Sequence, residues 1–217
     1  SWWNGCGHEV LIAPRDEKFK GYVGDVKDVV WPRFHLRALY NGTAYQATLG
    51  LWRHSCSNLM MPKLVKGAST KIYHSTNLRT RIGELNGEFQ KLSATWDSQI
   101  AAMERMSELE IPLQEVVTKV FGVSLKPDGS PSQSAIRRYE AIMGRLFKDR
   151  ISLGHDVNST RVTLWESINA IQGYVQHDVT RKAYADTDTV ERAFIAIGDG
   201  RVEKAYEVAM SYLANAS

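Results

Sequence analysis

The dipeptide Asn41-Gly42 sits between two runs in which apolar and polar residues alternate. Both central positions of a two-residue type I′ turn need a positive φ, which Asn and Gly tolerate, so this spacing predicts a β-hairpin closed at these residues. Closure there sets the pairing. Tyr40 faces Thr43, and the pairs Ala38 with Tyr45, Leu36 with Ala47 and Phe34 with Leu49 bring apolar or aromatic residues together. The intervening pairs are Arg37 with Gln46, His35 with Thr48 and Arg33 with Gly50, and the series continues to Trp31 opposite Trp52. Side chains on a strand alternate with period two, so the register that buries Phe34, Leu36 and Leu49 collects Trp31, Arg33, His35, Arg37 and Trp52 on the other face. A four-residue loop would keep this parity, and a three-residue loop would break it.

Charge is distributed unevenly around the hairpin. After Asp28 the next carboxylate is Glu84, and residues 29–83 carry Arg33, Arg37, Arg53, Lys63, Lys66, Lys71, Arg79 and Arg81 with no acid. An even scatter of the 24 acidic residues would put about six in this window. The formal net charge of +3 thus averages a basic block with an acidic remainder. Such a block directs a field toward an anionic partner, although a charge bias is also what a plain solvated face presents. Basic residues neutralise phosphates and release counterions, and exposed rings give bases a surface on which to stack. The reading that follows has Arg33, Arg37, Arg53, Lys63, Lys66, Lys71, Arg79 and Arg81 contacting phosphates, with Trp31, His35 and Trp52 as stacking groups. Packing of the two tryptophans under a neighbouring helix is the alternative.

The rest of the chain reads as support for the sheet. Residues 8–13, 21–23 and 69–74 are strand candidates. From Asn77, a helix N-cap candidate with Thr76, apolar residues recur by threes and fours from Leu78 through Ile82, Leu85, Phe89, Leu92, Trp96 and Ile100 to Met103. That spacing predicts an amphipathic helix of about 28 residues whose stripe is a core seam. A second helix starts at Pro112 and stops near Gly122, and further helices are expected over residues 135–148, 161–179, 188–197 and 201–214. Residues 125–134, LKPDGSPSQS, read as a loop. Strands first and helices afterwards argue for an α+β fold: an N-terminal antiparallel sheet with a hairpin, then a long amphipathic helix and a C-terminal helical region. The expected organisation is residues 1–124 as the α+β part, 125–134 as the loop and 135–217 as helices packed on it in one unit.

At the hairpin the sequence also carries a family resemblance. The run AYQATLGLWRHSCSN at residues 44–58, preceded by the Asn-Gly turn and followed by KIYHSTNLRTRIGEL at 71–85, resembles the phage- and plasmid-borne family called domain of unknown function 932. Gly50, Leu51, Trp52, Arg53, Cys56, Ser57, Asn58 and His74 occupy its motif positions, and TLWESINAIQGYVQH at 163–177 is similar to its C-terminal helix. Leu59 stands where members often have Gly, and members commonly carry a longer leader, which implies a trimmed or shortened start. The phage and plasmid setting implies DNA metabolism, and the order of elements is similar to that of single-strand annealing proteins, a likeness of fold alone.

Catalytic signatures are weak. A metal-dependent nuclease gathers carboxylates on a cation, and only Glu9, Asp16, Asp25, Asp28 and Glu84 border the basic block. No phosphate-cradling glycine motif of the P-loop or dinucleotide type is present. Ser55-Cys56-Ser57 beside His54 suggests a nucleophile, but His54 and Cys56 share a face only if the strand continues through them. His35, His54 and His74 lack the close spacing of metal ligands. Two cysteines, Cys6 and Cys56, make no disulfide framework and no zinc motif. No apolar run spans a bilayer. The expectation is therefore a cytoplasmic, non-enzymatic protein without cofactor that binds nucleic acid, single-stranded DNA first, in annealing or protection. The alternative is an adaptor or inhibitor that docks an acidic host protein on the same face. Self-association through the long helix is compatible with either.

Overall fold

Strand pairing in the computed structural model, which describes residues 2–3, 7–12, 16–25, 28–39, 45–53, 59–60, 69–72, 78–179 and 199–216, builds one antiparallel sheet. Its strands are β1 (Trp2–Trp3), β2 (Gly7–Ile12), β3 (Gly21–Val23), β4 (Asp28–Leu39), β5 (Tyr45–Arg53), β6 (Leu59–Met60) and β7 (Ser69–Ile72). The main path runs β1-β2-β4-β5-β6, with β3 also on β4 and β7 also on β5. The turn residues 41–42 lie outside the described residues. The β4–β5 register is nevertheless the one a two-residue closure demands, with Arg37 opposite Gln46, Phe34 opposite Leu49 and Trp31 opposite Trp52. The strands at β1 and β6 have only two residues each, too short to leave a period in the sequence.

Alternation is visible wherever side chains of the sheet are described. Asp28, Val30 and Pro32 of β4 are buried, while Val29, Trp31 and Arg33 are half-buried. On β3, Gly21 and Val23 are buried and Tyr22 is exposed. The buried set forms the inner face, which packs on helices. Gly21 is needed there, because a methyl group at its Cα would overlap the Cδ1 of Ile100. A bare backbone lets the helix approach the sheet closely.

Five α-helices follow among the described residues: α1 (Leu78–Glu108), α2 (Leu113–Phe121), α3 (Gln133–Leu153), α4 (Leu164–Tyr174) and α5 (Gly200–Asn215). This confirms the α+β order. The 31 residues of α1 span roughly 46 Å at about 1.5 Å per residue. Pro112 is the N-cap of α2, and Gly122 at φ 77° ends it. Ser132 caps α3 through its hydroxyl, accepting from the Ala135 N–H at 3.2 Å, and α3 begins earlier and runs longer than the apolar spacing suggested. Thr163 and Glu166 form a reciprocal capping box at the start of α4. α4 then widens into a π-helical segment, Val175–Val179. The helix expected over 188–197 lies outside the described residues. Val23 and Val30 of the sheet share one core with Met103 and Met106 of α1, Ile142 and Leu146 of α3, and Leu164 and Ile168 of α4. α4 is buried almost all round, so it is the central helix. No described helix is long and apolar enough to cross a membrane.

Candidate nucleic-acid interface

The outer face starts from the odd-numbered positions of β4. Trp31 and Arg33 are both half-buried. Burial draws the Arg33 guanidinium below its ordinary value, although a guanidinium remains cationic at neutral pH. Lys20, just before β3, places its ammonium 5.6 Å from the ring centroids of both Tyr22 and Trp31. Glu17 lies 3.4 Å from the same ammonium. A cation and two rings therefore meet on the solvent side of the β3–β4 pair. Sequence reading missed Lys20 and Tyr22, yet the signal existed: Tyr22 pairs with Val29, which shares the parity of Trp31 and Arg33.

Backbone register extends the pattern to positions whose side chains are not described. Arg37 is in one row with Gln46 on β5 and Lys71 on β7. His35 is in the next row, with Thr48 and Ser69. Trp52 is opposite Trp31. The first row also contains Glu9 of β2, directly across from Arg37, so an acidic position enters the basic face. Arg79 and Arg81 are in the first turn of α1, where side chains are not described. Lys63, Lys66, His54, Cys56 and His74 lie outside the described residues.

Arg53 is a correction. Its side chain is 2% exposed, on the inner face opposite the buried Val30. The Nε donates to the Asp28 carboxylate, and Nη1 donates to Asp149 Oδ2 at 2.6 Å. The Trp165 indole N–H donates to Asp28 at 3.1 Å. One guanidinium thus ties β4, β5, α3 and α4 together, and it cannot also meet a phosphate on the outer face. Carrying the hairpin parity two residues past Leu51 would have put Arg53 inside. Its place in an acid-free stretch drew attention outward instead, because both of its carboxylates come from beyond that stretch.

A second ion cluster lies close to the first. Arg150, 3% exposed, donates to Glu166 through Nε at 2.8 Å and Nη2 at 3.0 Å, and to the carbonyls of Ser159 and Arg161. Burial alone would raise the Glu166 carboxyl. The Arg150 hydrogen bonds, the Thr163 N–H and the Arg150 charge outweigh it and hold the carboxyl below its ordinary range. A cleft of about 760 Å³ opens beside this pair, with Asp25, Asp28, Glu104, Glu108 and Glu110 in its wall. Two of the border carboxylates, Asp25 and Asp28, therefore converge on one cleft. Asp28 is held by Arg53 and Trp165, and no group of three or more His, Cys, Asp or Glu among the described residues is placed to hold a metal ion.

The model of a family described as Domain of unknown function (DUF932) matches residues 23–195, which take in the hairpin strands β4 and β5 and all of α1 to α4. No curated protein and no solved structure matches.

Proposed function

The chain belongs to the DUF932 family, whose description assigns no activity, and on that premise we propose that it binds single-stranded nucleic acid on the outer face of its sheet. The observation that carries this reading is the alternation along β4. It turns Asp28, Val30 and Pro32 inward and leaves Trp31 and Arg33 on the side where Lys20 meets Tyr22. Arg33 and Lys20 serve the phosphates, and Tyr22 and Trp31 offer π-faces to bases, each stacked base contributing about 1 to 3 kcal/mol. Arg37, Lys71, His35 and Trp52 extend the same face by register, and Lys63, Lys66, Arg79 and Arg81 extend the basic block in sequence. Arg53 has a structural role. A phage or plasmid setting, implied by the resemblance, puts such a protein beside strands exposed during replication or annealing. No catalytic step is assigned to this face.

Fluorescence anisotropy with a labelled single-stranded oligonucleotide at two salt concentrations tests the reading. Tight binding at low salt, a steep fall with added salt, and loss of binding in an Arg33→Glu, Arg37→Glu double variant that remains folded are expected. Absence of binding at low salt, or binding indifferent to that variant, overturns it. Retention of an acidic protein from a nuclease-treated extract without oligonucleotide binding would instead support the adaptor reading.

A further inference from the structure

On the helical side of the molecule, away from the sheet face, a cleft of about 660 Å³ has Ser134, Arg137 and Arg138 of α3, Tyr174 and Asp178 at the end of α4, and Arg201 of α5 in its wall. We infer that this cleft is a phosphate-binding site, with Arg137 and Arg138 taking the phosphate of a nucleotide, free or at the end of a strand. It shares no residue with the proposed sheet interface and stands whether or not that interface binds.

Charge matching carries the inference. Asp178 is occupied by Arg145, whose Nε and Nη2 donate to its two oxygens at 2.7 and 2.9 Å. Asp199 is occupied by Arg201, whose Nε donates at 2.8 Å. Asp178 and Asp199 are thus each matched by a guanidinium of their own. Arg137 and Arg138 have no carboxylate partner among the described residues, and they add two cations to a wall whose one described carboxylate, Asp178, is already matched by Arg145. Arg137 is exposed. Arg138 is held by aromatic contact: its guanidinium carbon lies 4.9 Å from the Phe121 ring centroid. Phe121 in turn meets Tyr174 edge-on, with centroids 6.0 Å apart. A guanidinium positioned by a ring face keeps its N–H groups for a ligand, and its planar fork fits the oxygens of a phosphate. A cleft of this volume lies in the range that admits a small organic ligand as well as a bare ion.

The test uses the full chain and three probes: inorganic pyrophosphate, a fluorescent nucleoside diphosphate, and oligonucleotides with and without a 5′-phosphate. Pyrophosphate should displace the labelled nucleotide from the wild type. The Arg137→Ala, Arg138→Ala double variant should weaken nucleotide binding about tenfold or more. If loss of the Phe121 contact lowers the melting temperature of the double variant, Arg137→Glu at its exposed position decides the matter alone. Failure of both pyrophosphate and nucleotide to bind at low salt, or equal affinity in the wild type and Arg137→Glu, overturns the site. A mononucleotide that binds more tightly than a 5′-phosphorylated strand identifies a free-nucleotide site, and the reverse order identifies a strand end. Oligonucleotide binding lost in Arg33→Glu, without any pyrophosphate binding, removes the cleft and leaves the sheet face standing.

Discussion

Arg33 and Arg53 come from adjacent strands of one hairpin and from the same acid-free stretch, yet they lie on opposite faces of the sheet. Arg33 is half-buried on the face that carries Trp31 and lies near Lys20 and Tyr22. Arg53 is 2% exposed and bound by Asp28 and Asp149. The inner face spends its cation on architecture, whereas Trp31 and Arg33 of the outer face are only half-buried. A count of charges along the chain therefore overstates the binding surface by every residue whose parity turns it inward.

Replacing these two arginines in turn should give the widest separation. Arg53→Met leaves Asp28 and Asp149 without their shared guanidinium in a buried site, and should lower stability by about 3 to 5 kcal/mol in chemical denaturation. Arg33→Met should cost less stability than Arg53→Met while reducing oligonucleotide affinity. Equal losses of stability would erase the distinction between the faces. A smaller effect is expected at Gly21→Ala, where the added methyl meets Ile100; overpacking of this kind costs about 1 to 3 kcal/mol and is read in a thermal melt.

Acid should separate the faces more finely. The Glu166 carboxyl is depressed in the folded chain, so its contribution is present above the unfolded value of about 4.3 and is lost as pH falls through the folded value. Glu166→Gln should therefore be less stable than the wild type at neutral pH, and the gap should close on acidification below about pH 4. A gap that stays constant through that window would mean that the Arg150 pairing adds nothing dependent on charge. The smallest effect belongs to Lys20→Ala on the outer face. The melting curve should not move, and oligonucleotide affinity should fall about two- to threefold through loss of one cation. A large shift in melting would move Lys20 to the structural side.

Several of these features were legible before any coordinates. The spacing of Leu78, Ile82, Leu85, Phe89 and the residues after them gave α1 its place and most of its length, because a helix that buries one stripe must repeat it every three to four residues. Pro112 and Gly122 marked α2 because their backbone preferences are intrinsic. The hairpin register followed from alternation in the same way. The partners of Arg53 had no such signal. Asp149 lies 96 residues away and Trp165 lies 137 residues from Asp28, and no local period links residues that meet only when helices pack on the sheet. The arginine cleft was equally silent, since Arg137, Tyr174 and Arg201 belong to three helices.

The sequence by itself determined the long strands and most of the described helices, the parity of the hairpin, and therefore the two sides on which its residues fall. Those properties depend on backbone preferences and on periods of a few residues, which neighbouring amino acids carry. Only the tertiary structure decided which side the helices cover and which carboxylates hold Arg53. Electrostatic pairing and burial act through space, between groups that chain connectivity leaves far apart.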